Sequence, residues 1–235
     1  MVERKLFLVS DGTKIYYEVT GCGFPLVMLH GNGNSGRVFK RQVAFLKKYF
    51  RCIVIDSRGH GKSGNLANIL NFSRMSKDLQ EILEHEGITK IHLLGFSDGG
   101  NIAARFVVDY PIYVEKLILN AANLQVDGLY LWARLLSRLE ILFAKLMRRN
   151  VAIKNLLLQE TKITKKELNH ITQPTLILVG QFDVVYQYYS ENLAKQIPTA
   201  VLKVFPSAKH NFLWKLPRNY NKIVLDFLQE KFERF

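Results

Sequence analysis

Three residues could do chemistry together: a serine set between glycines in Gly95-Phe96-Ser97-Asp98-Gly99, an aspartate further on, Asp183, and a histidine near the C-terminus, His210. A serine hydroxyl is a poor nucleophile until a base takes its proton and fixed donors stabilise the oxyanion that its attack creates. Read as strand, sharp turn and helix, the five-residue run supplies part of this. The turn lifts Ser97 above a sheet, the glycines let strand and helix approach, and the helix N-terminus offers main-chain N–H groups at the same place. Of the six histidines, His210 follows a strand expected over 201–205 and precedes the last helix, which puts it on the sheet edge where Ser97 belongs. His85, His92 and His170 occupy no strand-end loop of that edge. Asp183 follows a strand expected over 175–179, in the loop beside that of His210, where a carboxylate can orient the imidazole. The acid could also stand after the preceding strand, where Asn120, Asn123 and Asp127 lie and only Asp127 is a carboxylate.

These positions require a particular frame. Short apolar runs bounded by turn residues alternate with stretches of helical period, the pattern of an α/β protein with helices on a mostly parallel sheet. Residues 5–9 and 14–20 read as an antiparallel pair about Asp11-Gly12, and 26–29, 52–55, 91–94, 114–119, 175–179 and 201–205 as further strands, giving an eight-stranded sheet. Helices are expected over 37–49, 73–86, 99–110 (stopped by Pro111) and 218–235. From 123 to 171 no strand pattern occurs. There Leu131, Leu135, Leu139, Leu142 and Leu146 recur at spacings of three and four, while Arg134, Ser137, Lys145 and Arg148 fall largely on other faces. The expected organisation is a core of 1–122 and 172–235 with a helical cap insertion at 123–171.

Composition narrows the class. The chain has 235 residues, 48% of them hydrophobic, with no linker, repeat or low-complexity tract, as suits one large domain. The apolar stretch Leu6 to Val9 is too short for a signal-peptide core, and no apolar run of membrane-spanning length exists. Cys22 and Cys52 offer neither a disulfide framework nor metal-site spacing, so a reduced, cytoplasmic setting without a metal is expected. The formal charge is +13, and residues 131–170 hold nine lysines and arginines against Glu140, Glu160 and Glu167. That segment carries no zinc-finger, RRM or KH signature, so it reads as a solvated basic face and no nucleic-acid partner is expected.

Four runs together resemble successive hallmarks of the α/β-hydrolase family: Asp11-Gly12-Thr13-Lys14-Ile15-Tyr16-Tyr17, Met28-Leu29-His30-Gly31-Asn32-Gly33, Asp56-Ser57-Arg58-Gly59-His60-Gly61-Lys62-Ser63 and Gly95-Phe96-Ser97-Asp98-Gly99-Gly100. The similarity spans essentially the whole chain except 123–171, which corresponds to the family's variable cap. The resemblance implies an α/β-hydrolase fold with Ser97 as nucleophile, Asp183 as acid, His210 as base, and the main-chain N–H groups of Asn32 and Asp98 as oxyanion hole. Lys209 stands where the family usually has glycine, and the cap is short. His30 is expected to brace the oxyanion loop, Asp56 and Arg58 to form a loop-stabilising pair, and His60 to be structural. The Asp98 carboxylate has two readings, a favourable charge at a helix N-terminus or a holder of a cationic substrate group. For the second, Ser-Asp-Gly-Gly resembles the family's amino-acid-ester hydrolases of the valacyclovir-hydrolase type. Phe96, Phe182, Phe212 and Trp214 flank the catalytic positions and are candidate walls of an acyl pocket, equally readable as core.

The expected activity is hydrolysis of carboxylic esters of small to medium substrates through an acyl-enzyme, without a cofactor. A leucine-rich cap implies an apolar acyl or alcohol group. Two rivals are an aminoacyl-ester, peptide or C–C bond hydrolase on the same triad, for which Glu140, Glu160 and Glu167 are the cap acids available, and a slow-turnover ligand-binding or signalling protein.

Overall fold

Runs of aliphatic and β-branched residues form a single sheet in the computed structural model, which describes residues 1–66 and 70–230. Its strands are β1 (Val2–Leu8), β2 (Lys14–Thr20), β3 (Pro25–Leu29), β4 (Arg51–Ile55), β5 (Ile91–Phe96), β6 (Val114–Asn120), β7 (Thr175–Phe182) and β8 (Ala200–Lys209). They lie in the order β1-β2-β4-β3-β5-β6-β7-β8. β2 is antiparallel to both of its neighbours, and every other pairing is parallel. A parallel strand covered on both faces must be apolar on both, and all residues of β5 are buried. β1, at the edge, is largely exposed.

The helices are α1 (Lys40–Leu46), α2 (Phe72–His85), α3 (Asp98–Asp109), α4 (Leu131–Leu146), α5 (Val151–Asn155), α6 (Lys165–Asn169), α7 (Gln187–Gln196), α8 (Phe212–Lys215) and α9 (Pro217–Leu228). α2, α3 and α7 pack one face of the sheet through residues such as Leu79, Ile102, Phe106 and Leu193. α1, α8 and α9 cover the other with Leu46, Leu213, Tyr220 and Val224. The helix expected over 37–49 is divided, a 3-10 turn at Gly36–Phe39 preceding α1. α7 has no counterpart among the expected helices, because its Gln187-Tyr188-Tyr189-Ser190-Glu191-Asn192 run gives little apolar contrast. The last helix ends at Leu228, and residues 231–235 of the helix expected there lie outside the described residues.

The stretch 123–171 contains α4, α5 and α6 and no strand. Its later part, Leu156, Ile163, Leu168 and Ile171, joins the core cluster of the sheet, whereas Leu129 and Ala133 form a small separate cluster with Val185. The leucine stripe of α4 faces outward: Leu131, Leu135, Leu139, Leu142 and Leu146 are exposed, and the helix rests on Ala133, Ser137 and Ala144. Periodicity identifies an apolar face but not the side on which the body lies. Among the described residues no helix is long and apolar enough to cross a membrane.

Polar anchoring at the carboxyl end of β4 differs from expectation. Asp56 and Arg58 are not paired with each other; each stabilises its loop through other partners. Arg58, whose side chain is wholly buried, donates from Nε and Nη2 to the Asp78 carboxylate, each at 2.7 Å, and from Nη1 to Asp11 and Thr13 at 2.8 Å. It thereby ties the β1–β2 turn and the loop after β4 to α2. Asp56 instead accepts from the main-chain N–H groups of Gly36 at 2.7 Å and Lys62 at 2.8 Å, joining the loops after β3 and β4. Removing Arg58 takes from buried Asp78 both of its 2.7 Å donors and leaves it only the Arg74 guanidinium at 3.2 Å, so Arg58→Met is expected to lower the free energy of urea unfolding by about 3–5 kcal/mol. Arg58→Met/Asp78→Leu should recover part of that loss; equal loss in both variants would mean that the under-paired carboxylate is not the cause.

Candidate active site

β5 runs into α3 through Ser97, whose φ of 54° and ψ of −122° are unusual for a residue with a side chain. Such a conformation costs about 1–3 kcal/mol and persists only where the surroundings impose it. Here they do. A Cβ on Gly95 would run into the Gly99 carbonyl, and a Cβ on Gly99 into the Leu29 carbonyl, so only glycines let β5, α3 and the end of β3 meet. The Ser97 N–H donates to the Asn120 carbonyl at 2.8 Å, fixing the turn to the end of β6.

β8 delivers His210. Its pairing with β7 shifts register after Gly180 and resumes with Lys209 opposite Phe182, so Lys209 ends the strand and His210 follows it. His210 Nδ1 lies 2.6 Å from Asp183 Oδ1, and its Nε2 lies 3.1 Å from Ser97 Oγ. Asp183 is buried and also accepts from the N–H groups of Val184 at 2.7 Å and Gly180 at 3.3 Å. A carboxylate can only accept, so Nδ1 carries the proton and Nε2 is the acceptor facing the serine hydroxyl. That tautomer is the one able to take the serine proton. Asp127 is exposed in the 3-10 turn Val126–Gly128 and is not part of this group. His85 stacks on Phe7, His92 packs against Phe24 and Phe50, and His170 binds the Lys166 carbonyl.

The loop after β3 lies against the turn. A Cβ on Gly31 would sit 2.9 Å from Ser97 Cβ, which brings the main chain at Asn32 alongside the serine. In the first turn of α3 the Gly100 and Asn101 N–H groups donate to the Ser97 carbonyl, whereas the N–H of Asp98, the first residue of the helix, has no carbonyl one turn earlier to accept it. His30 holds this loop: its Nε2 accepts from the Ser57 N–H at 3.0 Å and its Nδ1 donates to the Gly31 carbonyl at 2.8 Å. Burial pushes its pKa down to about 4, so the ring stays neutral in this role. His60 packs edge-on against it, 5.2 Å between centroids. The Asn32 side-chain amide donates twice, to Asp98 Oδ2 at 2.9 Å and to the Ile153 carbonyl at 2.7 Å, linking α3 to α5.

At Ser97 is a cleft of about 340 Å³, lined by Ser97, His210 and Trp214 and by Trp132, Leu136 and Glu140 of α4. Phe96 also lines it, packed 5.0 Å from the His210 ring and edge-on to Trp214 at 5.6 Å. Phe182 and Phe212 do not. Phe182 is 61% exposed at the end of β7, and Phe212 is buried in the core, stacked 4.5 Å from Phe205. Of Glu140, Glu160 and Glu167 only Glu140 reaches the cleft, where it pairs with Lys154 at 2.6 Å. Glu167 closes a capping box with Thr164 instead. Asp98 borders the cleft from a fully buried position, and burial raises its pKa to about 6 against the opposing effect of the Asn32 amide.

Trp132, Leu136, Lys154 and the Asn32 side chain lie outside the set of site residues that the sequence suggests. Nothing in their spacing signals proximity to Ser97; the orientation of α4 and α5 over the sheet brings them there. A larger groove of about 910 Å³ runs beside β2 and α1, lined by Arg4, Tyr16, Glu18, Lys40 and Lys47. It lacks a nucleophile–base pair, and geometry outweighs size in locating chemistry.

The chain is 29% identical to human serine hydrolase BPHL, a match covering 93% of this chain and 84% of that protein. It is 27% identical to the 2-hydroxy-6-oxononadienedioate/2-hydroxy-6-oxononatrienedioate hydrolase of Burkholderia vietnamiensis, with 94% of each covered. The esterase EaEST of Exiguobacterium antarcticum superposes with a TM-score of 0.86 at 24% identity, covering 97% of this chain and all of that one. A family model for the alpha/beta hydrolase fold matches residues 25–166. With that match, on a sheet of this strand order with a serine turn at the end of β5, the chain belongs to the α/β-hydrolase fold family, and its relatives are hydrolases.

Proposed function

We propose that this chain is a serine hydrolase that cleaves carboxylic esters of small to medium substrates through an acyl-enzyme. The observation that carries the reading is the unbroken path from Asp183 Oδ1 through His210 to Ser97 Oγ, with contacts of 2.6 and 3.1 Å. Ser97 Oγ attacks the ester carbonyl as its proton passes to His210 Nε2, and Asp183 stabilises the imidazolium. The N–H groups of Asn32 and Asp98 hold the tetrahedral oxyanion. Collapse expels the alcohol, which takes its proton from His210. Water then attacks the acyl-enzyme with His210 as base, and the acid leaves with Ser97 restored. Residues 123–171 serve as the cap, and a cleft of about 340 Å³ under α4 suits a compact substrate.

One observation favours a second reading in which the substrate carries an amine. Asp98 is a buried carboxyl group at the cleft whose donor is a neutral amide, Asn32. An ammonium beside it would stabilise its charge.

A fluorophosphonate probe is expected to label Ser97, and Ser97→Ala to abolish both labelling and p-nitrophenyl ester turnover. Surviving labelling would put the nucleophile elsewhere; tight ligand binding without turnover would replace the enzyme reading with a receptor. His210→Ala should lower kcat at least about a thousandfold, and Asp183→Asn roughly ten-thousandfold. For the amine reading, Asp98 loses its proton as pH rises through about 6. Discrimination for amino-acid esters over neutral esters should therefore increase from pH 5 to 7 and be flat in Asp98→Asn. Parallel profiles for both substrate classes in the native protein would return this side chain to a structural role.

A further inference from the structure

α4 wears its large apolar residues on the outside. Leu131, Leu135, Leu139, Leu142, Phe143 and Leu146 are 49–77% exposed, while the side against the body is made of Ala133, Ser137 and Ala144. A core helix would have the opposite arrangement. At 3.6 residues per turn these exposed side chains, with Trp132 and Leu136, sweep roughly 140° of the helix surface. Arg138 and Lys145 border the arc on one side, and Arg148 and Arg149 follow its C-terminal end, all of them exposed. A contiguous apolar patch of this kind marks an interaction site.

We propose that the outer face of α4 docks this protein on an anionic phospholipid surface, with the cleft mouth turned toward the lipid. The charge decides the occupant. An apolar arc containing Trp, Leu and Phe, edged by Arg and Lys, has the chemistry of a helix lying in a bilayer interface, where the apolar side enters the acyl boundary and the cations meet the headgroups. A two-fold contact with a second copy would bring equivalent patches together and set Arg138 and Lys145 near their own counterparts in chains of formal charge +13 each. Orientation follows from residues shared between patch and cleft. Trp132 and Leu136 belong to the exposed arc and also line the cleft at Ser97, so a surface that covers the arc faces the cleft entrance. The substrate class follows too: amphiphilic esters that partition into membranes can enter without crossing water. That last step rests on the ester-hydrolase reading, whereas the docking does not.

The test is co-sedimentation of the full chain with vesicles of phosphatidylcholine alone and with added phosphatidylglycerol, at low and high salt. Binding is expected to the anionic vesicles and to weaken with salt. Leu135→Gln/Leu139→Gln/Leu142→Gln changes exposed positions away from the cleft wall to a residue of good helix propensity, and should reduce binding by about a hundredfold or more. Arg138→Gln/Lys145→Gln should reduce it about tenfold on anionic vesicles only. Both variants should keep the native melting temperature and the native rate on a soluble p-nitrophenyl ester. Ser97→Ala should bind vesicles like the native chain, so docking is read even where catalysis is absent. Absence of vesicle binding, or binding unchanged by the triple substitution, would overturn the proposal. A dimer without vesicle affinity that the triple substitution dissociates would also overturn it and assign the face to a second copy.

Discussion

Three backbones converge at Ser97, and their approach is limited by hard contact. The carbonyls of Gly99 and Leu29 stand where a side chain at Gly95 or Gly99 would have to be, so the sheet, the turn and α3 meet only because those positions have none. The consequence is a serine held at a φ of 54°, half-buried at the carboxyl edge of the sheet and followed by a helix N-terminus. Each other part of the site is placed with respect to this point. β3 supplies the loop beside it, β6 the carbonyl that fixes its N–H, and β7 and β8 bring Asp183 and His210 to it from adjacent strand ends.

Around that point the loops are fixed by buried polar groups. Asp56 joins the loops after β3 and β4, His30 joins the same two loops through Ser57, and Arg58 carries the second loop down to α2 and the β1–β2 turn. A loop proposed to present main-chain N–H groups at a set distance cannot be left to solvent, and each of these contacts satisfies a buried or part-buried donor while removing a degree of freedom. Hydrophobic packing positions the helices; this polar layer positions the loops.

Much of this was legible in the sequence because it depends on local rules. Glycines at 95 and 99 around Ser97, alternating strands and helices, and an aspartate and a histidine just beyond two late strands are features that a linear reading can find. What was not legible depends on orientation. The α4 leucines announce an apolar face, yet only the packing of Ala133 and Ala144 against the body shows that it points outward. Phe96 and Phe212 look alike beside catalytic positions, but one lines the cleft and the other is stacked in the core. Arg58 finds Asp78 rather than Asp56, because α2 brings a carboxylate to the buried guanidinium from twenty residues away.

The Asn32 side chain gives the segment 123–171 a part in the geometry beside it. Its amide has two hydrogens, and both are committed, one to Asp98 and one to the main-chain carbonyl of Ile153. The residue proposed to donate its own N–H to the oxyanion is therefore braced from α3 on one side and from α5 on the other. Exchanging residues 123–171 of this protein for the corresponding segment of a relative would be more than a change of pocket lining. A transplanted segment that offers no carbonyl where Ile153 now stands would leave one amide hydrogen without its acceptor and the loop with one brace fewer, so the interchangeable region of the fold ends, at this residue, inside the apparatus it covers.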